Sequence, residues 1–440
     1  MKKKGIRRGS IVAPLMLALV LSACGGGQQA AAPEGSAPQG SAPQEGTQLK
    51  VPSEPVPITV YSNNKMTEEA FNKQYGDAIR SKFPNVKLTF TSDVLKDTIA
   101  AKVPIDIMFG SIGTFFTHLY DFELQYDLSE LAKSRGYSFD KLEPTMVDLQ
   151  RKLGGGKLYG LPVWTATSGL FYNKDLFDKF GQPYPKDGMT WEELASLSKA
   201  MTRVEGGIQY YGYVTSPGAQ MSTNQLGLDP VDPKTMKANL TAEPWKQFMQ
   251  NIVDVYKAAG LTYTKDELDI AKSRNFFEKE SRAAMYTNFT GGTPLETMNW
   301  DVVQVPSLPN APGVGPQPYP NYWYVASISK QKETAFDIIA FLTSEQFQIP
   351  HNKAGYATVL KDPEIKKQYG QDMPKFQGKN VSAMFPKKSS APMNYTPFAN
   401  DAQVEFQNAF LSHMLGEKDL NTALRDAAEQ LDKKIREKTK

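Results

Sequence analysis

Residues 156–194 read GKLYGLPVWTATSGLFYNKDLFDKFGQPYPKDGMTWEEL, and this stretch decides the fold prediction. Its last part, Thr190-Trp191-Glu192-Glu193, is a capping box, in which the Thr190 hydroxyl and the Glu193 carboxylate can both bond to first-turn amides. A helix is therefore predicted to begin here, with Trp191 in the core.

Strands and helices alternate along the chain. Apolar runs at residues 58–62, 86–91 and 105–109 predict strands, and residues 67–83 and 97–102 between them predict helices. Further helices are predicted after Pro244, around Phe336 and from Leu411 onward. The pattern indicates an α/β fold in which helices cover parallel strands.

Two loops that follow predicted strands are candidate binding loops. Ligands of parallel sheets lie beyond the carboxyl ends of the strands. Residues 62–64 and 110–113 occupy such positions. Ordinary turn chemistry is the alternative, because Asn, Ser and Gly are the residues that turns favour.

Residues 1–23 are predicted to be a lipoprotein signal peptide. A basic start at residues 2–8 precedes an apolar run, residues 11–21, that is too short to span a bilayer. The run ends in Leu-Ser-Ala-Cys, and Cys24 is the single cysteine of the chain. We expect lipid on Cys24 and a mature protein anchored to the cell membrane on its extracytoplasmic face. The alternative is a plain secretory peptide with an incidental cysteine.

Residues 24–55 are predicted to form a disordered stalk behind the lipidated cysteine. They contain Gly-Gly-Gly and two copies of Gly-Ser-Ala-Pro-Gln, which cannot build a core. The remaining body of about 380 residues exceeds what a single core usually organises, so two lobes are expected.

The charge balance argues against a nucleic-acid partner. The net charge is +3, and five positive residues lie within residues 2–8, which the signal prediction removes. The mature chain is then close to neutral, whereas phosphate binding needs a basic face. The lysines after residue 432 alternate with acidic residues, which is typical of a solvated helix.

Motifs for catalysis, cofactors and metals are missing from the sequence. It contains no P-loop, no Gly-x-Ser-x-Gly, no Gly-x-Gly-x-x-Gly and no His-Glu-x-x-His. His118, His351 and His413 share no metal-ligand spacing. We therefore expect no cofactor and no metal. A glycosidase with two carboxylates remains an alternative, because the 47 acidic residues could pair in space.

Three motifs in the opening stretch carry a family resemblance: residues 156–163 (GKLYGLPV), 170–177 (LFYNKDLF) and 190–194 (TWEEL). In this order they resemble the family 1 extracellular solute-binding proteins of ABC transporters, chiefly the sugar and oligosaccharide binders. Weaker similarity covers nearly all of the body. Residues 287–292 (TNFTGG) and 320–323 (PNYW) depart from the family pattern.

The resemblance implies a periplasmic-binding-protein-like fold, with two α/β lobes joined by a multi-segment hinge and a ligand cleft between them. The hinge segments are expected near residues 161–165, 305–319 and 347–356. Lobe 1 is then 56–163 plus 320–347, and lobe 2 is 164–319 plus 348–440.

The resemblance also implies a set of ligand-binding residues. Trp164 and Trp323 are expected to stack on a sugar ring. The expected polar and aromatic partners are Ser62, Asn63, Asn64, Ser111, Thr165, Asn288 and Tyr322.

The resemblance implies a receptor that captures a sugar or oligosaccharide by hinge closure and delivers it to an ABC importer. Its partners would be a small-molecule carbohydrate, the permease subunits, and the membrane through the lipid. No catalysis and a monomer are expected. Two alternatives stay open: a lipid-anchored glycan hydrolase, and a receptor of the same fold that serves a sensor kinase.

Overall fold

The computed structural model describes residues 47–290 and 298–439. The predicted signal peptide and Cys24 lie outside the described residues. The nine strands of the described part are β1 (Val56–Ser62), β2 (Val86–Thr91), β3 (Ile107–Ser111), β4 (Gly160–Asn173), β5 (Arg203–Glu205), β6 (Ile208–Thr215), β7 (Ala283–Thr290), β8 (Trp300–Val303) and β9 (Tyr319–Val325).

Helices surround these strands, which confirms the predicted α/β class. They are α1 (Glu68–Phe71), α2 (Asp77–Lys82), α3 (Leu95–Ala100), α4 (Ser129–Ser134), α5 (Pro144–Leu153), α6 (Lys174–Phe180), α7 (Trp191–Met201), α8 (Pro217–Ser222), α9 (Glu243–Ala258), α10 (Ile270–Glu278), α11 (Lys332–Leu342), α12 (Glu345–Lys353), α13 (Pro363–Lys366), α14 (Ala399–Met414) and α15 (Leu420–Lys438). A π-helical turn, Asn72–Gly76, joins α1 to α2.

The predicted capping box at the start of α7 is confirmed. The amide of Glu193 donates to the Thr190 hydroxyl at 3.1 Å, and the amide of Thr190 donates to the Glu193 carboxylate at 2.8 Å. Trp191, the first residue of this helix, is buried as expected. Two first-turn donors are thereby satisfied within the helix itself.

The sheet order is β2-β1-β3-β9-β4-β7-β6-β5, and β8 pairs with β4 outside this path. β1 is parallel to both β2 and β3. β9, which arrives late in the chain, is antiparallel and inserts between β3 and β4. The carboxyl ends of β1 and β3 therefore lie beside the start of β9.

The long strand β4 belongs to two sheets at once. Residues 160–166 pair with β9. From Thr167 onward the strand pairs with β7, and from Leu170 onward also with β8. The change of partner between Ala166 and Thr167 falls beside the hinge segment expected at 161–165.

The part of β4 before Thr167 and the part after it pack into different hydrophobic cores. One core includes Ile58, Phe109 and Trp323 and covers one face of the β1-β3-β9 sheet. A second core covers the opposite face. A third and larger core surrounds β6, β7 and helices α9, α14 and α15.

We propose the lobe boundaries of 56–163 plus 320–347 and 164–319 plus 348–440, with two qualifications. The second core also contains Met393, Tyr395 and Ala399 of lobe 2, so it extends across the contact between the lobes. Val359, Leu360 and Ile365 form a small core with Leu142 and Met146 of the first lobe. The segment after α12 thus contacts lobe 1 before it returns to lobe 2.

The predicted stalk, residues 24–55, is too long at its C-terminal end. The amide of Gln48 donates to the carbonyl of Arg135 at 3.0 Å, and Leu49 packs against the core of lobe 1. The Asn85 side chain donates to the carbonyl of Pro52 at 2.9 Å. Residues 48–53 therefore belong to the folded body.

Within residues 47–290 and 298–439, none of the helices combines the length and apolar character that crossing a membrane requires.

Gly212 in β6 tests the close packing of α7 on the lobe 2 sheet. A β-carbon at this position would lie 2.0 Å from the carbonyl oxygen of Ser198, which is backbone and cannot rotate away. We expect Gly212→Ala to lower the free energy of unfolding by roughly 1–3 kcal/mol, measured by urea denaturation. Gly206→Ala measures the cost of backbone strain alone, because its φ of 59° is left-handed and no atom lies within 4 Å of the added carbon. A Gly212→Ala protein as stable as the parent would contradict the packing argument.

Candidate ligand-binding cleft

The strand ends of lobe 1 place four side chains in a row. Ser62 of β1 pairs with Phe109, and Ser111, two residues further along β3, pairs with Asn321 of β9. Asn321 in turn pairs with Trp164 of β4. Because paired residues and residues two apart in a strand share a face, Ser62, Ser111, Asn321 and Trp164 lie on one side of the sheet.

The two faces of β4 can now be named. Side chains alternate along a strand, so Trp164, Ala166 and Ser168 lie on one side, which we call the cleft face. Thr165 and Thr167 lie on the other side, which we call the hinge face. Trp164 and Thr165 therefore lie on opposite sides of the strand, and ligand contact by each of them stays a prediction.

Trp164 forms an aromatic corner with Tyr356. Both side chains are half-buried, and their rings meet edge to face with centroids 6.0 Å apart. Behind them the Tyr356 ring stacks on the His351 ring at 4.4 Å and 9°. Burial lowers the pKa of His351 to about 3, so this imidazole is neutral at pH 7. The corner is an aromatic surface made of two half-buried rings.

The loop after β1 is fixed by polar contacts. The Asn63 amide nitrogen lies 3.2 Å from His118 Nε2, and the Thr117 hydroxyl lies 2.8 Å from His118 Nδ1. Burial lowers the pKa of His118, which favours the neutral imidazole that can accept from Asn63. Asn63 is thereby oriented, whereas Asn64 is exposed.

Ser62 itself has a turn role. It is fully buried, and its hydroxyl accepts from the Asn64 amide at 3.3 Å. Ordinary turn chemistry, the alternative for this loop, therefore describes Ser62 better than direct ligand contact does.

Lobe 2 contributes hydroxyl and amide groups near the crossing strand. Ser168 on the cleft face lines a small cavity of about 30 Å³ together with Gln220, Ser216, which follows β6, and Thr287 of β7. Gln220 donates to the Tyr213 hydroxyl at 2.9 Å, which donates to Thr287 at 3.0 Å. Asn288 pairs with Gly169 in register, and its side chain is outside the described part.

The lobes touch at the loop after β3. The Asn400 side chain of α14 donates to the carbonyl of Gly113 at 3.2 Å. Nearby, the rings of Tyr319 and Tyr395 meet edge to face at 6.4 Å. The two predicted binding loops therefore lie where the lobes meet.

Trp323 and Tyr322 are not ligand contacts in this structure, which corrects the prediction for both. Trp323 is fully buried, with its ring stacked on Phe109 at 4.6 Å and edge-on to Tyr75 at 4.8 Å. Tyr322 is also fully buried and donates to the carbonyl of Met146 at 2.7 Å. β9 is an interior strand covered on both faces, so neither ring reaches a cleft.

Residues that were not predicted complete the site: Asn321, Tyr356, Ser168, Ser216 and Thr287. Asn321 lies in the segment that departs from the family pattern, and only its register with Ser111 and Trp164 reveals its position. Tyr356 follows α12, nearly two hundred residues after Trp164, and sequence offers no signal for their contact.

The assembled groups suit binding better than proton transfer. They are rings, hydroxyls, amides and neutral imidazoles. In the part of the chain that the structure describes, no cluster of three or more His, Cys, Asp or Glu side chains could hold a metal ion.

Two α/β lobes that share a strand and enclose polar and aromatic groups define a binding protein of the periplasmic type. An ABC substrate-binding protein from Listeria monocytogenes, solved with cycloalternan, superposes with a TM-score of 0.69 at 18% identity, over 87% of this chain and 99% of that one. This likeness confirms the predicted two-lobed fold.

The chain belongs to the bacterial extracellular solute-binding protein family, whose model matches residues 63–349. It is 27% identical to a probable ABC transporter-binding protein from Deinococcus radiodurans over 246 residues, 50% of this chain and 56% of that relative. It is 25% identical to a protein named sn-glycerol-3-phosphate-binding periplasmic protein from Brucella melitensis, over 69% of this chain and 73% of the relative. The expected family and the role of solute receptor are confirmed.

Trp323 and Trp164 should respond differently to truncation. Trp323→Ala removes a buried indole from the lobe 1 core, so we expect it to lower the free energy of unfolding by about 3–5 kcal/mol. Trp164→Ala, at a half-buried position, should cost clearly less. Guanidinium denaturation followed by circular dichroism measures both. If the Trp323→Ala protein were as stable as the parent, the structural role of Trp323 would be contradicted. Trp323 would then again be a candidate for ligand contact.

Proposed function

We propose that this protein is a lipid-anchored receptor that captures a sugar or oligosaccharide between its lobes and delivers it to the permease of an ABC importer. The observation that carries this proposal is the aromatic corner of Trp164 and Tyr356 beside the row of Ser111 and Asn321. A pyranose presents apolar C–H groups on its faces and hydroxyls around its rim, and this site offers a partner for each.

The chemistry of recognition follows from these two kinds of group. The indole of Trp164 supplies a large flat surface that loses little entropy on binding, because a tryptophan has only two side-chain torsions. Asn321 and Asn63 have amides that can both donate to and accept from sugar hydroxyls. A dissociation constant near one micromolar, about 8 kcal/mol, would be enough to capture a nutrient and still release it.

The closed arrangement of the two lobes around a ligand would be the form that the permease recognises. A ligand that contacts Ser111 and Asn321 of lobe 1, Trp164 at the crossing strand, and Ser216 and Thr287 of lobe 2 favours the closed arrangement by its differential affinity. The permease can then distinguish loaded from empty receptors. No bond in the ligand needs to break, so we propose a binding protein without catalysis.

The relatives support a polyhydroxylated cargo. The Listeria structure was solved with cycloalternan, and the Brucella relative carries the name of a binder of sn-glycerol-3-phosphate. The hydrolase alternative gains no support from the described side chains of the cleft face, since these are rings, hydroxyls and amides without carboxylates.

Anchoring through Cys24 would keep the receptor beside its transporter. Two acyl chains on a diacylglyceryl cysteine give stable attachment, whereas one chain binds only marginally. A tether raises the local concentration of receptor at the permease. We propose a monomer on the extracytoplasmic face of the cell membrane.

A thermal-shift screen tests the proposal. The purified protein is heated with mono- and oligosaccharides, glycerol phosphates, amino acids and polyamines. A ligand at a hundredfold excess over its dissociation constant adds about 2.7 kcal/mol of stability. A shift with one sugar class, with no product detected by chromatography, would support the receptor and identify its cargo. A shift only with amino acids or polyamines would overturn the sugar assignment.

Trp164 is the residue to change first. Trp164→Ala should weaken sugar binding at least tenfold, about 1.4 kcal/mol, because the ligand loses its platform. Trp164→Phe keeps an aromatic ring and should lose less. Isothermal titration calorimetry with the sugar found in the screen measures both. Unchanged affinity in Trp164→Ala would remove this residue from the site.

Cys24→Ser tests the anchor. Without the thiol no thioether to lipid can form, so the protein should move from the membrane fraction to the soluble extracytoplasmic fraction or be retained with an uncleaved signal. Immunoblots of cell fractions measure this. Sugar binding by the purified variant should equal that of the parent. A variant that still fractionates as processed lipoprotein would disprove lipidation at Cys24.

A further inference from the structure

A second cavity, of about 650 Å³, lies along residues 165–168 of β4. Thr165 and Thr167 line it from the hinge face, and the Thr167 hydroxyl lies 3.7 Å from the sulfur of Met384, another lining residue. Its walls come from both lobes: the first turn of α5 in lobe 1, and residues 316–318, 384–387 and 389–391 in lobe 2. None of its lining residues belongs to the binding loops 62–64 and 110–113.

This cavity is distinct from the aromatic corner. Tyr322, on the hinge-face side of β9, donates to the carbonyl of Met146, and Met146 lines the cavity. Trp164 and Asn321 lie on the opposite side of the same strands. A molecule in the cavity therefore does not touch the proposed sugar platform.

The charged groups at the cavity favour an anion. Lys366 and Glu143 form an ion pair and compensate each other. Lys387 is exposed and, among the described residues, has no carboxylate partner. The N-terminal end of α5 adds the positive end of its helix dipole. The charged side chains that line the cavity therefore carry one net positive charge, which comes from Lys387.

A buried donor in the cavity wall also lacks a partner. Gln317 is 2% exposed, and its side-chain oxygen accepts from the Met393 amide at 2.6 Å. Its amide nitrogen has no partner in the described part of the chain. Leaving such a donor unsatisfied costs about 1–3 kcal/mol, which an acceptor oxygen of a ligand would recover.

We propose that this cavity, which we call the hinge pocket, binds a small solute with a phosphate or carboxylate group. Lys387 would hold the oxyanion by a charge-assisted bond, and Gln317 would donate to a second oxygen. Thr145 and Ser389 supply further hydroxyls, one from each lobe. The hinge pocket shares Ser168 with the candidate sugar site, but neither ring of the aromatic corner lines it.

Isothermal titration calorimetry of the purified protein with inorganic phosphate and, separately, with citrate tests the hinge pocket. Lys387→Ala should weaken binding of the anion at least tenfold. Lys388→Ala is the matched control, since it removes the same charge from the neighbouring exposed residue that does not line the pocket. Trp164→Ala should leave anion binding unchanged. Thermal unfolding of each variant confirms that it is folded.

Titrations with phosphate and with citrate distinguish the two kinds of anionic group that the hinge pocket could bind. Binding of phosphate alone identifies a phosphate site, and binding of citrate alone identifies a carboxylate site. Binding of neither anion would overturn the proposal. So would equal losses in Lys387→Ala and Lys388→Ala, which would indicate a general surface charge effect instead of a pocket. A loss in Trp164→Ala as large as that in Lys387→Ala would assign the anion to the cleft.

Discussion

The continuous hydrogen bonding of β4 is the constraint on which the molecule depends. One strand pairs with β9 up to Ala166 and with β7 from Thr167, so the sheets of both lobes are fixed to a single backbone segment. Any rotation of the lobes must be absorbed around these two residues and in the parallel hinge segments. Because the strand has two faces, one rotation changes the surroundings of the aromatic corner and of the hinge pocket together.

The position of β9 inside the sheet explains why Tyr322 and Trp323, which were predicted to contact ligand, do not line the cleft. A strand between β3 and β4 is hydrogen-bonded on both edges and covered by helices on both faces. Its side chains alternate between two cores, with Trp323 in one and Tyr322 in the other. Only the strand's beginning, at Asn321, reaches the region between the lobes, and there a polar amide is found.

Local features were predictable from sequence, and pairings between distant segments were not. The α7 capping box, the first strands and the continuous helical stretch of α1 and α2 were anticipated because each depends on neighbouring residues. Trp164 was placed correctly at the crossing strand. The side of the strand on which Thr165 lies could not be predicted, since the bulge between Pro162 and Trp164 is visible only in the register with β9. Tyr356 was missed because nearly two hundred residues separate it from Trp164 in the sequence.

The late position of β9 also governs when the chain can fold. The sheet of lobe 1 lacks the interior strand β9 until residue 325 is available, after the 164–319 part of lobe 2 has been made. Contacts of such large sequence separation form slowly, because long loops must close first. The sheet of lobe 1 therefore stays incomplete until most of the chain has been synthesised. Folding of this lobe is tied to a segment that follows it by more than 150 residues, so lobe 1 is expected to mature after synthesis and not during it.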